Sequence, residues 1–381
     1  DLTKRQGRGM RSSSGEYFIA LDHVRALAML VAFAWHFLHG PFGPVPHDYA
    51  PAIFPLALLD EGHTGVAIFM TLSGYLFAKL LDGRQVRYGV FFWNRFVRLA
   101  PLLIAVVGGI TLYKYFTDPD FGIYLSMIKR GWIEPTLPNG AWSVVIEMHF
   151  YLLLPIVLFL FKRSRFWLLS IVLLAILLRL CLYDIRGEIQ TLSYFTLIGR
   201  IDQFMLGILA FGSRTLLRGR HWLAGAVAVL FLGFYWYFDH IGGFMLNPAY
   251  PSTSPLWVML PTLEGMAYAI LIGYYDSTYR PRPDGISGWV GRYGAYSYSI
   301  YLLHFFFVYR MAAFIHTRIM DISNFYVACA WMIVCFALML PVCYLSYRFL
   351  ESPFLKCRRK YLLPGGQRPV AQAVPTGEGA H

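Results

Sequence analysis

Apolar runs long enough to cross a bilayer recur along almost the whole of this chain. Windows of about 20 residues with few charges fall near 18–39, 63–81, 91–114, 141–161, 166–183, 194–213, 221–238, 257–275, 293–315 and 325–349. In hydrocarbon each backbone N–H and C=O must find its partner within the protein, so runs of this length become helices. The expected fold is therefore all-α, a polytopic membrane protein with about ten transmembrane helices. Composition agrees: 57% of the 381 residues are hydrophobic and 14% charged, where soluble domains carry roughly 25% charged residues. Mean hydropathy is +0.51. These values exclude a soluble globular enzyme, a disordered chain and a coiled coil. The loops are too short to hold a separate soluble catalytic domain.

The net charge of +12 raises nucleic acid as a partner, but its distribution argues against that. Lys and Arg concentrate in alternate loops: Lys4 to Arg11, then Arg84 and Arg87, Lys162 to Arg165, Arg214 to Arg220, Arg280 to Arg292, and Lys356 to Lys360. Loops of the other parity are poor in them. This is the positive-inside pattern, and it places both termini in the cytoplasm. The expected division is a cytoplasmic N-tail over 1–16, a transmembrane domain over 17–355, and a basic, then disordered, C-tail over 356–381. The first run keeps Asp22 and Arg25 and lacks a cleavage site, so it reads as a retained span. Cys181, Cys329, Cys335, Cys343 and Cys357 are odd in number and lie mainly in apolar runs. They read as reduced thiols, and no metal site is expected.

Ionisable residues inside spans are costly and mark function by default. Arg25 and His36 are eleven residues apart on the first run, within about 20° of three full turns, so they share a face about 16 Å apart. Asp22 can pair with Arg25 at i, i+3. Glu147 lies six residues into the fourth run, at a depth similar to that of His36. A histidine and a carboxylate at matched depth suit a general base and its orienter; a structural contact, or none, fits the same depth. Ser143 and Tyr151 share the Glu147 face. Arg95 and Arg98, with Arg25, put three guanidiniums near the cytoplasmic end, as a phosphate-bearing ligand would require; ordinary anchoring gives the same pattern. Ser73-Gly74-Tyr75 at mid-depth of the second run reads first as close packing. His304 either lines a cavity or bonds a neighbour.

These residues fall in segments that resemble the acyltransferase-3 family of integral membrane acyltransferases. The segments are Leu21 to Arg25 through Trp35 and His36; Gly65 to Phe69 through Ser73-Gly74-Tyr75; Asn94 to Arg98 with Pro101; Trp142 to Glu147 through Tyr151 and Pro155; and Ser297 to His304, followed by Tyr347 to Pro353. The pairing of Arg-x10-His with Trp-Ser-x3-Glu is the most specific part. The resemblance implies an acyl-CoA donor, acetyl-CoA by family frequency, on the cytoplasmic side of a bacterial inner membrane. It implies an acceptor hydroxyl on a carbohydrate or glycoconjugate. It marks His36 as catalytic with Glu147 and places Arg25, Arg95 and Arg98 in donor binding; Ser73, Tyr75, Trp142, Ser143 and His304 are further candidates for contacting substrate or lining the cavity. His149 departs from the family, which often has Gln there. The chain resembles the stand-alone branch lacking an SGNH hydrolase-like domain. The rival class is a proton-coupled transporter or flippase using the same buried His, Glu and Arg as a relay. Oligomeric state is open.

Overall fold

The structure is a computed structural model that describes residues 18–40 and 43–363; the expected N-tail over 1–16 and the tail beyond 363 lie outside these. Its long helices are α1 (Ile19–His39), α2 (Gly65–Leu81), α3 (Tyr88–Thr117), α5 (Ala141–Arg163), α6 (Arg165–Arg186), α8 (His221–His240), α9 (Leu256–Thr278) and α12 (Phe325–Ser346), with a short α4 (Phe121–Arg130) between α3 and α5. Together with their short helical extensions these give eight segments long and apolar enough to span a membrane. The expected sixth and ninth spans take other forms. The sixth is α7 (Leu197–Gly212), only 16 residues, or about 24 Å. The ninth is a pair, α10 (Ser297–Leu303) and α11 (Val308–Phe314), within a span bent by 53°. With these two, the chain forms the ten helical segments read from the sequence.

Local chemistry sets several boundaries. Ser164 ends α5 in extended backbone, and its hydroxyl accepts from Phe166 N to start α6. Thr196 caps α7 by accepting from Gly199 N, and Asn324 caps α12 by accepting from Tyr326 N and Val327 N. The bend in the ninth span has a visible cause. His304 Nδ1 lies 2.7 Å from the Tyr301 carbonyl and 3.2 Å from that of Ile300. A side chain that takes the preceding carbonyls competes with the helix ladder, and His304–Phe306 is a 3₁₀ turn.

The helix α2 is the centre of the bundle, with 78% of its span buried, while α6 and α8 are 22% buried and present residues such as Leu174 and Leu230 outward. A Cβ on Gly74 would sit 2.1 Å from the Phe204 carbonyl oxygen, and one on Gly207 2.0 Å from that of Thr71. The α2 and α7 backbones approach this closely only because glycine stands at both positions.

Contacts gather the basic loops at one end of the bundle. His23 reaches the Ser287 carbonyl at 2.8 Å, Lys79 pairs with Asp276 at 2.6 Å, Arg165 donates to the Gly212 carbonyl at 2.6 Å, and Gly219 N donates to Thr278. Loops poor in Lys and Arg meet at the other end, where His39 contacts Asp60 and Gln190 donates to the Phe244 carbonyl. The helix α7 joins the two ends, since Tyr194 just before it donates to the His63 carbonyl and its last residue meets Arg165. The C-terminal stretch departs from the expected boundary at 355. Residues 356–363 stay on the bundle, where β1 (Gln85–Val86) pairs antiparallel with β2 (Leu362–Leu363).

Candidate active site

Two cavities lie along one face of α1. The first, of about 100 Å³, is nearer the basic end. Arg25 lines it from α1, Ser73 from α2, Arg95 and Arg98 from α3, and Ser143 and Glu147 from α5. Six of the residues singled out from the sequence are thus brought to one chamber. Arg25 is ion-paired to Asp22, as their spacing implied. Arg95 lies over the rings of Phe77 and Phe91 at 5.3 and 5.4 Å, and its Nε is buried without a partner among the described residues. Ser73 Oγ donates to Glu147 Oε1 at 2.8 Å. Ser73 therefore faces the cavity, and close packing falls to Gly74 alone.

The second cavity, of about 130 Å³, lies toward the other end and is mainly aromatic. Trp35 and His36 line it from α1, His63 from the turn before α2, Trp142 from α5, Tyr194 from the short helix Gln190–Phe195 that precedes α7, and Phe244 from the turn after α8. The bent ninth span wraps His36: the Phe305 ring centroid is 4.4 Å from that of His36, and Tyr309 Oη is 3.0 Å from His36 Nδ1. In the tautomer whose Nδ1–H donates to Tyr309 Oη, Nε2 keeps the lone pair that a base requires. His63 Nε2 is buried and has no partner among the described residues. Val66 and Tyr301 line both cavities, and Ser143 Oγ lies 2.8 Å from Tyr301 Oη. Tyr301 is thus the wall between the chambers.

The expected His36–Glu147 pair does not form. His36 bonds Tyr309 and Glu147 bonds Ser73, on opposite sides of the Tyr301 wall. Matched depth on two helices fixes height but not azimuth, and these helices turn the two groups into different chambers. Tyr75 lines neither cavity; its hydroxyl donates to Asp276 at 2.7 Å, beside Lys79. His304 also lines neither. It is fully buried and bonded to backbone carbonyls, with its ring 5.1 Å from that of His36. Trp142 packs on Phe195 at 4.8 Å in the aromatic chamber.

Other intramembrane charges are structurally satisfied. Arg179, with no exposure, pairs with Asp202 at 2.8 Å and donates to the carbonyls of Val258 and Gly199. Arg200 donates to Gln203, which donates to Glu264, which also accepts from Tyr235. Such a network meets the demand for partners in a low-dielectric interior. Sequence reading missed His63, Tyr301 and Tyr309. Tyr301 stood inside a quoted motif, but its position at a wall emerges only from the crossing of α1, α2, α5 and α10.

Residues 18–348 match the acyltransferase-3 family, described as an acyltransferase domain. Among curated proteins, the peptidoglycan O-acetyltransferase OatA of Listeria monocytogenes is 24% identical over 175 residues, which are 39% of this chain and 25% of that protein. The aligned part is thus about a quarter of the relative's length. No solved structure matches. The family match spans most of the chain and all ten helical segments through α12, so this multi-pass membrane protein belongs to the acyltransferase-3 family.

Proposed function

We propose that the chain is an O-acyltransferase that moves an acyl group, acetyl by family frequency, from cytoplasmic acyl-CoA to a hydroxyl of a carbohydrate or glycoconjugate in a bacterial inner membrane. The observation that carries this reading is the pair of adjacent chambers that share Tyr301 as a wall, with the arginines in one and His36 in the other. Membership of the family supports acyl transfer, and the name of the OatA relative supports a glycan acceptor.

In this reading the phosphates of acyl-CoA sit on Arg25, Arg95 and Arg98, and the pantetheine arm runs along α1 toward His36. The eleven residues between Arg25 and His36 on one unbroken helix give about 16 Å for that arm. The acceptor hydroxyl enters the aromatic chamber, where Trp35 and Trp142 offer faces for a sugar ring. His36 Nε2 takes the hydroxyl proton as the oxygen attacks the thioester carbonyl. The C–S bond breaks, the new C–O bond is the ester, and the proton passes to the departing thiolate to give free CoA. Glu147 is assigned to the donor chamber, where it fixes Ser73, and Tyr309 takes the orienting role at His36.

The test uses purified protein in detergent, labelled acetyl-CoA and a panel of glycans. Acceptor-dependent release of CoA together with labelled glycan is expected. Glycan movement across vesicles with no thioester consumed would replace this reading with the transporter.

A further inference from the structure

The chain does not leave the bundle at its last long helix. Trp93 Nε1 donates to the Cys357 carbonyl at 3.2 Å, and Asn94 both donates to the Arg359 carbonyl at 2.7 Å and accepts from Arg359 N at 2.9 Å. Arg87 N donates to the Tyr361 carbonyl at 2.9 Å. Tyr361 is 1% exposed, with its ring 5.6 Å from that of Phe91. A strap of residues 357–363 is therefore bonded, largely through its backbone, along the first turns of α3.

The strap and its approach carry four basic side chains, and their surroundings differ. Lys356, Arg359 and Lys360 are exposed, whereas Arg358 is partly buried. Asn94, which grips Arg359, is the neighbour of Arg95 and stands one turn before Arg98. Arg358 lies between Cys357 and Arg359, whose backbones are tied to Trp93 and Asn94, so the strap holds it beside the turn that carries Arg95 and Arg98; its Nε donates to the Leu355 carbonyl at 3.3 Å. Burial first, and then the positive charges of Arg98 and Arg95, push its guanidinium down to about 10. Among the described residues, none of Arg95, Arg98 and Arg358 has a carboxylate at ion-pair distance. The nearby carboxylates are engaged by hydroxyls, Glu351 by Ser299 and Glu147 by Ser73. Guanidiniums crowded in this way are costly unless an anion with several charged oxygens binds between them.

We infer that Arg358, held by this C-terminal strap, is a fourth arginine of the donor mouth and contacts the phosphate groups of the nucleotide. The inference rests on the acyl-CoA reading above and adds a residue and an element to it. Ordinary anchoring by a basic tail would involve Lys356, Arg359 and Lys360 equally, and those side chains face away.

The experiment measures binding of CoA to the full chain in detergent by calorimetry. Arg358→Ala is expected to weaken CoA about tenfold, as loss of one charge-assisted phosphate contact does. Arg359→Ala, equal in charge change, should bind as the unmodified chain does, because the strap uses only the backbone of that residue. Turnover with S-acetylpantetheine, which lacks the nucleotide, should be the same in Arg358→Ala as in the parent. Arg358→Gln keeps much of the packing without the charge and carries the same expectation should the alanine variant fail to fold. If Arg358→Ala and Arg358→Gln bind CoA as tightly as Arg359→Ala while Arg98→Ala binds weakly, the strap assignment is overturned and the donor reading stands. If the parent chain binds no CoA, both fall.

Discussion

His36 combines a hydrogen bond to Tyr309 with a place on the wall of a chamber large enough to admit a hydroxyl group. His304, one ring away, spends its Nδ1 on backbone carbonyls and lines no chamber. His304 is fully buried, its Nε2 sealed in without a partner among the described residues, whereas His36 is half-buried and open to the chamber; access to the chamber is what separates a candidate base from a structural residue. His36→Ala should therefore reduce acyl transfer by about 10²–10⁴-fold with helicity and membrane insertion unchanged; CoA release per mole of folded protein is the measurement, and near-normal turnover would remove His36 from the chemistry. Glu61, just outside the second span, offers a test by pH. Burial first, then the charge of Asp60, raise its carboxyl to about 8, partly offset by the Phe244 N–H that it accepts. The folded state holds that proton up to about pH 8, while the unfolded chain releases it near the ordinary glutamate value of 4.5. Stability should then fall as pH rises from about 4.5 to about 8 and level off above that. Thermal unfolding across this range should show that slope, and Glu61→Gln should flatten it. The Arg25–His36 spacing was legible because both residues share one unbroken helix. The His36–Glu147 pair was misread because it needs the relative rotation of two helices, which periodicity within either one does not contain.

At the scale of elements, the ten segments are legible from hydropathy alone, but their departures from straight spans are where the site is made. The bend between α10 and α11 brings Phe305 and Tyr309 over His36, and its origin is the His304 side chain on the Tyr301 carbonyl. No apolar window reports such a bond. The α2 and α7 contact is legible in part, since Gly74 was recognised as a packing residue while its partner Gly207 sits in an apolar run that gives no sign of it. Tyr301 stands where α10 meets α5, hydrogen-bonded to Ser143, and with Val66 it lies between the arginine chamber and the aromatic chamber. In the proposed reaction, a wall at this place would keep water away from the thioester until the acceptor is in place. Tyr301→Ala should join the chambers and uncouple the reaction: release of CoA without acceptor should rise severalfold relative to transfer. Assays with and without glycan read this ratio. An unchanged ratio in a folded variant would show that Tyr301 is not the barrier.

For the whole molecule, the decisive property is which end faces the acyl-CoA pool. The alternation of Lys and Arg between loops does not depend on any family resemblance, and the structure gathers those same loops at one end, with Arg25, Arg95, Arg98 and Arg358 beside them. Charge in short loops orients a multi-pass chain because positive segments are retained in the cytoplasm, so the arginine chamber should open there and the aromatic chamber should open on the opposite side. Cysteine reporters at Tyr250, which is 44% exposed, and at Arg163, exposed at the end of α5, sit at opposite ends of the bundle. In a background with the five native cysteines replaced, an impermeant thiol reagent added to intact cells should label Tyr250→Cys and spare Arg163→Cys until the membrane is opened. Labelling of both from outside would mean an odd number of crossings between the sites has been miscounted, which the 16-residue α7 makes the element to re-examine. Labelling of Arg163→Cys alone would invert the molecule. The arginine chamber would then face a compartment without acyl-CoA, and the donor, rather than the acceptor, would need a route across the bilayer.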